Sequence, residues 1–191
     1  MTATQSLEAT KPAGLPPGAM EETEGAHQCL TFVCAGEEYG IDILRVQEIR
    51  GWTAVTPIPN TPDYVQGVLN LRGIVIPIID LRQRLGMARI EYGPTTVIVV
   101  ANVISQGRHC VAGLVVDGVS DVCSVSDGEI KPTPEFGSTV DVQFIEGMAA
   151  LGEKMVVLLD VDKLLGNMSL LLIVCGAVGL YGMSSSNKGL A

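Results

Sequence analysis

The chain is cut into apolar runs too short for long helices and too rich in β-branched residues to favour them. From Gln28 onward CLTFVCA, GIVIPIIDL, TTVIVVANVI, CVAGLVVDGV and MVVLLDV follow one another, separated by Gly, Pro, Asn and Asp. Val and Ile are stiff about χ1 and suit a pleated surface, while Gly, Asn and Asp supply the angles of tight turns, so the runs read as strands. Gly36, Glu37 and Glu38 divide CLTFVCA from YGIDIL, and Ser105, Gln106 and Gly107 divide TTVIVVANVI from RHCVAGLVV. With MAA and MVVLLDV across Leu151 to Lys154, these make three hairpins. Helical signals are stubs. Thr61 and Pro62 predict a short helix over PDYVQG ending at Gly67; Asp80 caps LRQRLG up to Gly86, and Asp160 caps VDKLLG up to Gly166. Many strands with so little helix exclude a βαβ parallel sheet and predict an all-β barrel or sandwich. Strands covered on one face alternate; several here are almost continuously apolar, which predicts cover on both faces, as when two small barrels share a core.

Composition divides the chain in three. Residues 1–27 carry one Lys and four Glu among Pro, Gly and Ala and read as a flexible acidic tail. Residues 28–166 hold the strands, with 10 basic and 17 acidic residues interspersed. Residues 167–191 are atypical: Leu170 to Tyr181 is uncharged and apolar, but twelve residues fall short of the roughly 20 that a spanning helix needs. That tail has no polar face and reads as an appendage to the strand-bearing region. A net charge of −9 with 4% aromatic residues excludes a nucleic-acid partner, which would need clustered bases or stacking rings.

The inventory for chemistry is thin. Cys29, Cys34, Cys110, Cys123 and Cys175 contain no CxxC pair, and without a signal-peptide pattern they are expected to be reduced thiols in a cytosolic protein. A metal site on His109 and Cys110 with His27 is disfavoured because neighbours in a strand point to opposite faces. GVSDV at 118 to 122 lacks the second glycine of a nucleophile elbow. Glycines 176, 179 and 182 lie in the apolar tail and do not follow a strand. The acid pairs Asp117 with Asp121 and Asp160 with Asp162 read as turns or caps. No enzymatic activity, metal or cofactor is expected. What remains is the stretch from Pro59 to Gly86, where a turn over Asn70 to Gly73 projects Arg72: a rigid bidentate donor on an apolar stem that suits a protein interface, or a solvated turn arginine. Val46 and Ile49, three apart on a possible helical turn, read as core.

At these residues the sequence resembles the CheW-like family of chemotaxis coupling proteins. The resemblance runs through EEYGIDILRVQEIRG (37–51), IPNTPDYVQGVLNLRGIVIPIIDLRQRLG (58–86), GLVVDGVSDV (113–122), KPTPEFG (131–137) and GMAALGEKMVVLLDVDKLL (147–165), in order, over about three quarters of the chain. It implies two small five-stranded β-barrel subdomains about a shared hydrophobic core, with a few short helices. It also implies a non-catalytic adaptor joining the cytoplasmic tips of methyl-accepting chemoreceptors to the regulatory domain of the histidine kinase CheA, at the inner face of the membrane in receptor arrays. A free-standing regulatory module of another two-component or receptor-array system is the alternative. Kinase contacts are implied at Val46, Glu48 and Ile49 with Gly67 in support, and at Lys131, Glu135 and Phe136. Receptor contacts are implied in an apolar groove near Arg72, Val97 and Val122, where a helical hairpin would lie.

Overall fold

Three hairpins turn on two residues that both have positive φ, the geometry whose twist matches that of the strands it joins. In the computed structural model, which describes residues 26–132, 141–152, 154–166, Met168 and Leu171, these turns are Ala35–Gly36, Arg72–Gly73 and Gln106–Gly107. They join β1 (Ala26–Cys34) to β2 (Glu37–Asp42), β4 (Val65–Leu71) to β5 (Ile74–Asp80), and β6 (Val97–Ser105) to β7 (Arg108–Val116). β3 (Val46–Gly51), β8 (Gly118–Ser126), β9 (Ile145–Leu151) and β10 (Lys154–Leu159) complete the strands, and β9 and β10 form a fourth antiparallel hairpin. Two one-turn helices, α1 (Leu81–Arg84) and α2 (Val161–Leu165), begin where expected: the carboxylates of Asp80 and Asp160 accept the N–H groups of Gln83 and of Asp162 and Lys163. Among the described residues no helix is long and apolar enough to cross a membrane.

The strands form two five-stranded sheets, ordered β8-β1-β2-β10-β9 and β3-β6-β7-β5-β4. Each order contains one parallel pair, β10 with β2 and β5 with β7. The sheets exchange hairpins: β1–β2 sits with β8, β9 and β10, while β6–β7 sits with β3, β4 and β5. A repeat underlies this exchange. Residues 65–86 and 145–166 align at a constant offset of 80, sharing Gly67/Gly147, Leu71/Leu151, Asp80/Asp160, Leu85/Leu165 and Gly86/Gly166. Each sheet is rolled towards closure by the chain leaving an edge strand. After β3, Thr56 exchanges two hydrogen bonds of 2.8 and 2.9 Å with Val68; after β8, Lys131 exchanges two of 2.8 Å with Met148.

The core explains the doubly apolar strands. Ile98, Val100 and Val115 turn into the second barrel with Ile76 and Ile78, and Cys29, Val125, Ala149, Val156 and Leu158 fill the first. The opposite faces of β1, β6 and β7 meet in a larger shared core with Leu30, Phe32, Val99, Val103, Ala112, Leu114 and both helices. Met168 and Leu171 are buried in that shared core, so the chain beyond Gly166 begins as part of the fold. At the other end β1 begins at Ala26, inside the segment expected as tail.

Two segments differ from expectation. PDYVQG is not a helix: it turns once, Val65 N–H donating to Pro62 O, and enters β4 at Val65. The pairing of Val65 to Leu71 with β5 outcompetes a helix of one turn, which has almost no hydrogen bonds to offer. CVAGLVVDGV likewise is two strands, divided at Asp117 where the chain crosses from one sheet to the other.

Leu164 of α2 is fully buried in the shared core. Leu164→Ala is expected to cost about 2–5 kcal/mol in denaturant unfolding. A second prediction concerns acid. Glu38 accepts hydrogen bonds from Lys154 Nζ at 2.7 Å and from Ser120 Oγ at 2.9 Å. The Lys154 bond, opposed by burial and aided by Ser120, holds the Glu38 carboxyl below its usual range. A depressed folded-state pKa contributes stability above the unfolded value, about 4.3, that is lost as pH falls through the folded one. Thermal melts below about pH 4.5 should therefore fall less steeply for Glu38→Gln than for the unaltered protein.

Candidate functional site: a protein-interaction surface

β3 carries an irregularity that sorts its side chains. Val46 pairs with Ala101 but Glu48 with Val100, so Gln47 is the extra residue of a β-bulge. Ile49 then lies opposite Val99. Val46 and Ile49, three apart, consequently fall on the same side, by a bulged strand and not by the helical turn expected from their spacing. Val46 packs on the shared core, whereas Ile49 remains 43% exposed. Gln47 Nε2 donates to Asn102 Oδ1 at 2.7 Å, which secures the bulge to β6.

Glu48 and Arg72 meet. Arg72 Nη2 donates to Glu48 Oε2 at 2.8 Å, with the Glu48 side chain largely covered and that of Arg72 84% exposed. The β4–β5 turn makes this possible: Arg72 takes φ +52 and Gly73 φ +91, and Asn70 Oδ1 accepts the Gly73 N–H at 2.8 Å. Ile74 and Val75 follow the turn and are also exposed, at 46% and 40%. The result is a charged pair with apolar residues next to each partner in the chain, the mixed character of a protein interface. The family resemblance implies different partners for Glu48 and Arg72; the fold joins them in one ion pair.

Gly67 stands behind this pair. Its φ is +143, and a Cβ there would lie 2.2 Å from Thr56 O. The close approach permits the Thr56–Val68 pairing that ties the chain after β3 to β4, so Gly67 holds the Glu48 strand against the Arg72 hairpin. Thr56 was not singled out from the sequence; the only signal for it is the glycine repeated at 147, beside the matching Lys131–Met148 pairing.

The other implied residues are more scattered. Val97 opens β6 opposite Gly51 and Val116 and packs on the shared core. Val122 lies on β8 of the other sheet, opposite Leu30, and is 47% exposed. Lys131 is exposed at its bridge to Met148. Glu135 and Phe136 lie outside the described residues. His109 is exposed and Cys110 buried, on opposite faces of β7 as their adjacency requires. Burial pushes the Cys34 thiol up to about 12, helped by the nearby Asp117 charge, so it behaves as a small hydrophobe.

Comparison with known proteins identifies the family of the fold that carries these residues. The CheW-like domain model matches residues 28–168. The chain belongs to the CheW-like family. It is 48% identical to chemotaxis protein CheW of Klebsiella aerogenes over 152 residues, covering 80% of this chain and 89% of that protein. Identity to chemotaxis protein CheW of Rhizobium meliloti is 43% over 141 residues, 74% of this chain and 88% of the relative. Among solved structures, the scaffolding protein TtCheW from Thermoanaerobacter tengcongensis superposes with a TM-score of 0.66 at 33% identity, over 75% of this chain and 94% of that one. The pair of five-stranded sheets is thus that of the CheW-like fold, and the bulged β3, the Arg72 turn and Gly67 all lie within the matched region.

Gly67→Ala should open the seam of its barrel. The added methyl meets backbone in a conformation that L-residues avoid, so a loss of more than about 2 kcal/mol in unfolding is expected. Amide exchange would report it first at Thr56 and Val68.

Proposed function

We propose that this CheW-like adaptor couples methyl-accepting chemoreceptors to the histidine kinase CheA and brings the kinase under receptor control, without catalysing a reaction itself. The observation that carries the reading is the Glu48–Arg72 pair, with one partner covered, the other exposed, and Ile49 and Ile74 beside them. A guanidinium and carboxylate that pair within the free protein can exchange partners with a second protein at little cost in desolvation. The apolar neighbours supply the area. In this reading Val46, Glu48 and Ile49, supported by Gly67, face the kinase regulatory domain, with Lys131, Glu135 and Phe136 forming a second kinase contact. Arg72, Val97 and Val122 receive the helical receptor tip, so the protein works in the cytoplasm at the inner face of the membrane, within receptor arrays.

The shared core gives the adaptor its mechanical use. Two surfaces borne on barrels that share one packed interior move as a body, because close-packed interiors transmit strain and do not absorb it. A displacement of the receptor tip then reaches the kinase as a displacement of its docking surface.

Reconstitution with CheA and a receptor signalling fragment tests the whole: kinase activity should become receptor-dependent only when this protein is added. Glu48→Ala should weaken binding to the kinase regulatory domain about tenfold or more, on the scale of an interface hot spot. Arg72→Ala should weaken receptor capture while the circular dichroism spectrum stays unchanged. Unaltered binding by both variants would remove this surface from the reading.

A further inference from the structure

β1 and β8 bring two cysteines face to face. Cys29 lies opposite Cys123 in the antiparallel register, between the pairs Gln28–Ser124 and Leu30–Val122. Directly opposed residues in such a ladder point to the same side of the sheet, with Cα atoms about 4.5 or 5.5 Å apart and Cβ atoms about 4.5–5.5 Å apart. A disulfide needs Cα atoms about 4.4–6.8 Å apart and Cβ atoms about 3.5–4.5 Å apart. The backbone spacing is therefore already suitable, and the remaining closure is about an ångström or less. β8 can provide it. It is an edge strand, bonded within its sheet only to β1, and its ladder already shifts register between Thr31 and Phe32.

The two sulfurs differ in access. Cys29 is 5% exposed, in the small cluster with Val125, Ala149, Val156 and Leu158, whereas Cys123 is partly exposed. Both are free thiols. Neither takes part in the surface described above, and the family reading gives them no task.

We propose that Cys29 and Cys123 form an oxidative modification site, closed to an intramolecular disulfide by a hydroperoxide such as hydrogen peroxide. Cys123, the accessible partner, attacks one peroxide oxygen as its thiolate. The O–O bond breaks, leaving a sulfenic acid on Cys123 and a hydroxide that is protonated to water. The Cys29 sulfur then displaces the hydroxyl group from Cys123, and the Cys29 thiol proton leaves with it as a second water. Two thiols lose two electrons in all, and one peroxide becomes two waters. Burial, with the Asp42 and Glu146 charges and Cys123 beside it, pushes the Cys29 thiol up to about 11, so Cys29 is a poor first target for a dissolved oxidant. Its place directly across the ladder compensates in the second step, where the reaction is intramolecular. The product would bolt the edge strand to β1 immediately beside Val122.

The test uses the full-length protein. It is treated with a small excess of hydrogen peroxide, its remaining thiols are blocked with N-ethylmaleimide during denaturation, and it is digested without reductant for mass spectrometry. The expected product is a monomer 2 Da lighter before blocking, yielding one linked peptide pair that contains Cys29 and Cys123, with Cys34 and Cys110 blocked as thiols and the mass restored by dithiothreitol. Cys123→Ser should not lose the 2 Da. A link from either cysteine to Cys175 or to a second chain, a sulfenic or sulfinic Cys123 beside a blocked Cys29, or no reaction at all would each overturn the proposal. The peptide map of the unaltered protein decides the matter even if the serine variant folds poorly.

Discussion

Everything in this molecule depends on the apolar interface between two sheets that have traded hairpins. β1, β6 and β7 are buried on both faces, one toward the interior of their own barrel and one toward the shared core. Burying such strands twice yields far more apolar contact than a single small barrel could, which is how barrels of five short strands avoid the weakness of small domains. Among the described residues, each barrel keeps only a small interior cluster of its own, five buried residues apiece, beside the larger core that the two share.

Polar clasps are set where the exchange would otherwise leave seams. Asp117, at the crossing from β7 to β8, pairs with Arg82 of α1 and accepts the Ala35 N–H of the β1–β2 turn at 2.8 Å. Asp162 of α2 pairs with Arg45 at 2.6 Å and accepts the Ile104 N–H of β6. Arg84 donates to Leu164 O at 2.8 Å while its guanidinium lies over the Tyr64 and Phe144 rings. Each clasp joins segments that belong to different halves of the chain. Arg45, Asp162, Arg82 and Asp117 each keep part of their side chain exposed, so these pairs stay partly hydrated.

The sequence disclosed the parts whose causes are local. Turn residues predicted the hairpins, Asp80 and Asp160 announced the one-turn helices, and unbroken apolar runs foretold strands covered on both sides. It concealed what depends on distant partners. PDYVQG has a fair helical start, and only the β5 strand it pairs with makes it extended. The bulge at Gln47 is set by β6, so the shared side of Val46 and Ile49 imitates helical spacing. Glu48 and Arg72 are 24 positions apart and meet because the chain after β3 returns along β4. The exchange itself was within reach, since Gly67, Asp80 and Gly86 recur at 147, 160 and 166 and mark two copies of one hairpin-helix unit.

That exchange dictates the order in which the protein can be made. β1 and β2 are the first strands to leave the ribosome, yet their sheet is not complete until β10 ends at Leu159, whereas the other sheet is complete once β7 ends at Val116. During synthesis the N-terminal hairpin is apolar on two sides and short of its final neighbours. It must wait, resting on the barrel that finishes first, for strands translated some 90 residues later, such as β8 opposite β1. Pairings between ends so far apart close slowly, so the step that completes the fold is the late arrival of the C-terminal strands around a hairpin that has been waiting since the start.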